Sequence, residues 1–209
     1  MLSGDGRLAL LPEESPVNPR NAPMALILGA LLLLAGDVLQ LLRVPFAWTV
    51  LLALAFVLLA AGLLVVPQTL GALDRPTIVA GSLTAFVGAV AGAAMQGLFR
   101  AWAVLESAGH SAAVTLLQGH AGIRWTTLFP GLLFPLGLLL LALGLHLSRR
   151  LPAVAALTLA VGALLFPVGH AVGLPLALAG GDLVLIAAFV AVYLGTRAAP
   201  ATGSVSPTA

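Results

Sequence analysis

The stretch AWAVLESAGHSAAVTLLQGHAG, residues 101–122, decides the architecture. It is long enough to cross a bilayer, whose hydrocarbon core takes about 20 helical residues. Its content argues against crossing. Glu106, His110, Gln118 and His120 all fall inside it, and one acid at mid-membrane costs about 2.5–3.5 kcal/mol on insertion scales. On a continuous helix Trp102, Leu105, Ala112 and Leu116 fall near one face, while Glu106, His110 and Ser111 lie away from it. That division predicts a helix lying in the membrane interface.

Outward from this stretch the chain is apolar in both directions. Of 209 residues 61% are hydrophobic and 8% charged, with a mean hydropathy of +1.14. A soluble domain carries about 25% charged residues. So few charges cannot cover a water-facing surface, and the exterior must be lipid. Six spans follow: Met24–Arg43, Ala47–Val66, Thr77–Leu98, Thr126–Leu147, Ala153–Gly173 and Pro175–Gly195. Charge joined to a helix-breaking proline separates them at Arg43-Val44-Pro45, Asp74-Arg75-Pro76 and Arg149-Arg150-Leu151-Pro152. Pro175 suits the first turn of the sixth helix, where a missing N–H costs nothing. The expected fold is an all-α integral membrane protein, a bundle of about six transmembrane helices with an interfacial helix between spans three and four. Residues 1–22 read as a polar, proline-rich leader, 23–197 as the transmembrane domain and 198–209 as a small, polar, disordered tail. The first apolar stretch is too long for a cleavable signal and reads as a retained anchor.

Composition also removes chemistries. With no Cys, disulfides, thiolate metal sites and a cysteine nucleophile are excluded. All nine basic residues are Arg, so no lysine Schiff base can form. The arginines are scattered, singly apart from Arg149-Arg150, and form no basic stripe, which argues against nucleic acid as a partner. No H-E-x-x-H and no G-x-S-x-G occurs. His146 and His170 fall at opposite ends of their spans, so a haem held between two helices is not expected. The sequence carries no catalytic or cofactor signature. The expected partners are the lipid bilayer and either another membrane protein or a second copy of the chain.

Placing the N-terminus inside puts Arg7, Arg20, Arg75, Arg149, Arg150 and Arg197 on the inner side, and Arg43, Arg100 and Arg124 on the outer. Six against three predicts cytoplasmic termini in the cell membrane.

Ionisable residues inside spans are costly and are functional candidates by default. At about 1.5 Å per residue, Asp37 in span one and Asp182 in span six both fall roughly 5 Å outward of the span midpoint, so they share a depth. Gln40 lies one turn beyond Asp37 on its face. Gln96 and His170 sit further toward the same side. Glu106, His110 and His120 form a polar cluster in the loop above it, with a weakly specific metal-ligand spacing. Gly36 and Gly181, each just before its Asp, are expected to let spans one and six approach. Gly88 and Gly92, extended by Gly81 and Ala85, form a small-residue face on span three.

Two internal echoes stand out. Leu133-Phe134-Pro135-Leu136-Gly137 resembles Leu165-Phe166-Pro167-Val168-Gly169, and Ala35-Gly36-Asp37-Val38-Leu39 resembles Gly180-Gly181-Asp182-Leu183-Val184. They raise a three-plus-three duplication of the transporter kind. Pro135 and Pro167 free the carbonyls of Gly131 and Ala163 inside spans. Three functional readings follow. One is a membrane scaffold or partner-binding subunit whose buried acids only specify packing. Another is a small transporter or sensor with an outer-side polar cavity, using Asp37 and Asp182 for a proton or solute. The least favoured is a metal-dependent enzyme built on Glu106, His110, His120 and His170.

Overall fold

The computed structural model describes residues 22–44, 46–149, 151–172 and 175–198. Residues 1–21 of the expected leader and 199–209 of the expected tail lie outside the described residues. Among those described there are seven helices and no strands: α1 Ala22–Leu41, α2 Ala47–Thr69, α3 Pro76–Ser107, α4 Ser111–Gly119, α5 Ala121–Ser148, α6 Ala153–Val172 and α7 Pro175–Ala198. All except α4 are long and apolar enough to cross a membrane, which makes six candidate spans.

Residues 101–122 differ from the single interfacial helix expected of them. They divide into the last turns of α3, the nine-residue α4 and the first residues of α5. The break lies at Gly109, whose φ of 86° belongs to the left-handed region. The N–H of Gly109 donates to the Glu106 carbonyl and that of His110 to the Leu105 carbonyl. This is a Schellman end, which favours glycine because a side chain at positive φ is strained. The apolar stripe drawn across a continuous helix therefore does not exist. In α4 Val114 is fully buried, whereas Leu116 is 77% exposed.

A second Schellman end closes α2, with Gly71 at φ 57°. The N–H of Gly71 donates to Gln68 and that of Ala72 to Pro67. Here α2 runs past the Val66 boundary expected from sequence and holds Pro67 inside its last turns. A proline has no N–H to offer the carbonyl four residues back, so Leu63 loses its helical partner. The Ser82 hydroxyl of α3 donates to that carbonyl instead, with both residues buried.

The six long helices form a ring in which each packs on its neighbour, α1–α2–α3–α5–α6–α7, and α7 closes on α1. The tightest seam is α3–α5. A methyl group on Gly81 would collide with the backbone of Leu141, one on Gly88 with Phe134, one on Gly137 with Ala85, and one on Gly144 with Ile78. Four glycines thus bring two backbones together where larger side chains would hold them apart. Gly92, expected on the same face, meets the Phe56 ring of α2 instead. The outside of the ring is apolar. Leu132, Leu136, Leu140 and Leu143 form an exposed stripe on α5, and Val154, Leu157, Val161 and Leu164 another on α6.

The echoes do not trace a three-plus-three duplication. Such a repeat would match α1 with α5, α2 with α6 and α3 with α7. The echoed segments instead match α5 with α6 and α1 with α7, helices that are neighbours in the ring.

Candidate functional site

Asp37 lies one turn before the end of α1, and Asp182 in the second turn of α7. The helices are antiparallel neighbours, so the acids reach the same level. They are 2% and 1% exposed, and both lie where α1 packs on α7. Two ionised carboxylates have only acceptors, and no described donor hydrogen-bonds any of the four oxygens. A hydrogen bond between them therefore requires a proton on one of the pair.

The glycines act differently from expectation. A Cβ on Gly36 would strike Leu52 of α2, and one on Gly181 would meet Leu165 and Phe166 of α6. Adjacent residues on a helix point about 100° apart. When each Asp faces the α1–α7 seam, the glycine before it faces the next helix of the ring. The acids thus share one seam, while the glycine before each admits the neighbour on the other side.

His170, near the end of α6, connects the pair to the rest of the bundle. Its Nε2 stands 3.9 Å from an Asp37 carboxylate oxygen, with 42% of the side chain exposed. Its Nδ1 lies 2.9 Å from the Phe166 carbonyl oxygen. A carbonyl only accepts, so Nδ1 carries the proton that donates to it. The neutral ring then presents the Nε2 lone pair to Asp37, and a further proton at Nε2 would complete an imidazolium–carboxylate pair.

Beside His170 lies a cavity of about 450 Å³ lined from α1, α2, α3, α5 and α6. Phe56, Phe134 and Phe166 form an aromatic triangle in its wall, with centroid separations of 5.8, 6.5 and 5.3 Å and ring planes 69–90° apart. Phe134 and Phe166 are equivalent residues of the two Leu-Phe-Pro echoes, so that recurrence marks the cavity wall. The Phe166 ring also lies 4.5 Å from the His170 ring. Gln96 and His170 bring the principal polar groups to this apolar lining, together with Met95, Phe99 and Pro167. Gln96 is 8% exposed, and its carbonyl oxygen finds no donor among the described residues.

The structure thus puts His170 beside Asp37, buries Asp182 on the same seam and brings Gln96 and His170 to one cavity. It does not gather the remaining candidates. Gln40 is exposed and outside the cavity lining. Glu106, His110 and His120 are exposed on the α3–α4–α5 connection. Among the described residues no three His, Asp or Glu side chains converge in a way that could hold a metal ion. Sequence reading missed the phenylalanine triangle, for which the repeated Leu-Phe-Pro was the available signal. Compared with protein-family models, curated proteins and solved structures, the chain matches none of them.

Proposed function

We propose that the chain is a small proton-linked membrane transporter or sensor in which His170, Asp37 and Asp182 act as one proton-binding site beside the cavity. The observation that carries this reading is a partly exposed histidine 3.9 Å from the buried Asp37, on the seam that also buries Asp182. Burying carboxylates in a membrane bundle is expensive, and a packing role alone would be served by apolar residues. A proton shared by the acids leaves the pair with one negative charge, and a proton at His170 Nε2 neutralises it. Loss of that proton through the exposed face of the ring leaves the cluster negative. α2 carries no ionisable side chain, α1 only Asp37 and α6 only His170. The exchangeable proton therefore has one route among these helices.

The orientation and location of this site follow from the arginine distribution. Both termini are assigned to the cytoplasm, the chain to the cell membrane, and α4 with Glu106, His110 and His120 to the outer interface. His110→Cys in this cysteine-free chain should react with an impermeant thiol reagent added outside intact cells. Labelling only after the cells are opened would reverse the orientation.

Titration of the purified chain in lipid nanodiscs tests the function. Asp37→Asn and His170→Gln should each remove one titrating proton per chain relative to wild type while the unfolding temperature is kept. Superimposable titration curves would refute the proton site. The scaffold reading stands second, favoured by the position of the acids on the seam that closes the ring. Under it, Asn substitutions leave every property unchanged and only Asp37→Leu disturbs assembly.

A further inference from the structure

From the cavity's lining we infer that it binds lipophilic primary or secondary ammonium ions, whose charge takes the place of the proton on His170. The inference rests on the proton-linked reading and adds the class of solute to it. Three features of the cavity select that class. The Gln96 carbonyl oxygen is buried without a donor and belongs to the cavity lining, so it calls for an N–H or O–H from the occupant. The rings of Phe56, Phe134 and Phe166 line it and offer apolar contact, and an aromatic face attracts cations. The acid pair with its shared proton leaves one negative charge, which either imidazolium or ammonium can balance.

The charge accounting is closed. Before binding, the shared proton on the acids and the proton on His170 Nε2 make the cluster neutral. As the ammonium enters, the Nε2 proton leaves to water through the exposed edge of the ring. One positive charge is exchanged for another, and no covalent bond changes apart from that N–H. Arg100, one turn beyond Gln96 on α3, has its guanidinium 5.9 Å from the Phe46 ring centroid. On α5, Arg124 belongs to the first turn, and His146 lies in the last turn and lines a different pocket. A volume of about 450 Å³ falls in the range of small-molecule sites, roughly 300–1,000 Å³.

Calorimetry of the full chain in nanodiscs, with phenylbutylamine as the probe, tests the inference. The expected result is saturable binding above that of empty nanodiscs, with about one proton released per amine, read from buffers of different ionisation enthalpy. Gln96→Leu should weaken amine binding about tenfold and leave tetraphenylphosphonium, a cation without N–H, unchanged. Gln96→Glu, which keeps the size of the side chain, should tighten it. Neutral phenylbutanol should not compete. Absence of saturable binding, equal binding of the alcohol, or indifference to both Gln96 variants overturns the inference. Failure here while Asp37→Asn and His170→Gln still remove their proton leaves the proton site standing without this solute. Gln96-dependent amine binding with no proton release and no response to His170→Gln keeps the solute and refutes the proton-linked reading.

Discussion

The α3–α5 and α1–α7 seams join antiparallel neighbours by opposite means. In α3–α5 the contact is backbone on backbone, through Gly81, Gly88, Gly137 and Gly144. In α1–α7 it includes two buried carboxyl groups. Glycine contacts gain dispersion over a wide area and cost no desolvation. Carboxyl contacts cost desolvation and return a group that exchanges protons. A seam of the first kind needs nothing further to hold, whereas the second must offset the desolvation of its acids. The α2–α3 seam lies between these extremes, since the Ser82 hydroxyl supplies one neutral hydrogen bond to the carbonyl that Pro67 strands.

Substitutions that add volume or remove a partner separate the three cases. The largest effect belongs to Gly88→Val or Gly137→Val. Both place side-chain atoms inside the opposing backbone, and about 3 kcal/mol or more of stability should be lost. Thermal unfolding in detergent measures it, and a shift within error would mean that the seam is looser than described. Next is Ser82→Ala, which leaves the buried Leu63 carbonyl unpaired and should cost about 1–3 kcal/mol. Pro67→Ala restores an N–H to that carbonyl, so the double variant should recover much of the loss. Strict additivity in this cycle would contradict the link between Pro67 and Ser82.

Smaller still is Gly109→Ala, at the turn that ends α3 below α4. Its φ of 86° strains a side chain by about 1 kcal/mol. An unchanged unfolding temperature would argue against the Schellman end. The smallest stability change is expected for Asp37→Asn, within about 1 kcal/mol, because an amide donates to Asp182 where the shared proton did. Destabilisation by Asn as large as that by Leu at this position would contradict that hydrogen bond.

Much of this arrangement was legible in the sequence through hydropathy and depth. Six apolar runs bounded by charge and proline became the six long helices. The matched depth of Asp37 and Asp182 became a shared seam because α7 closes the ring on α1. Period and depth say nothing of rotation about a helix axis, and rotation governs what remained hidden. Gly36 and Gly181 turn to other helices than expected, Gln40 turns outward and Gly92 meets Phe56. Residues 101–122 misled for a different reason. A face was drawn through Gly109 as though the helix continued, although a glycine between polar residues is itself a termination signal.

The central claim is that Asp37 and Asp182 hold one proton between them next to His170. Infrared difference spectroscopy across a pH step, on protein carrying isotope-labelled aspartate, observes this directly. The account predicts a protonated-carboxyl band in the wild type at neutral pH. That band should shift with the label, be perturbed by His170→Gln and disappear in the Asp37→Asn, Asp182→Asn double variant. Absence of the band at neutral pH, or a band that survives in the double variant, would contradict it.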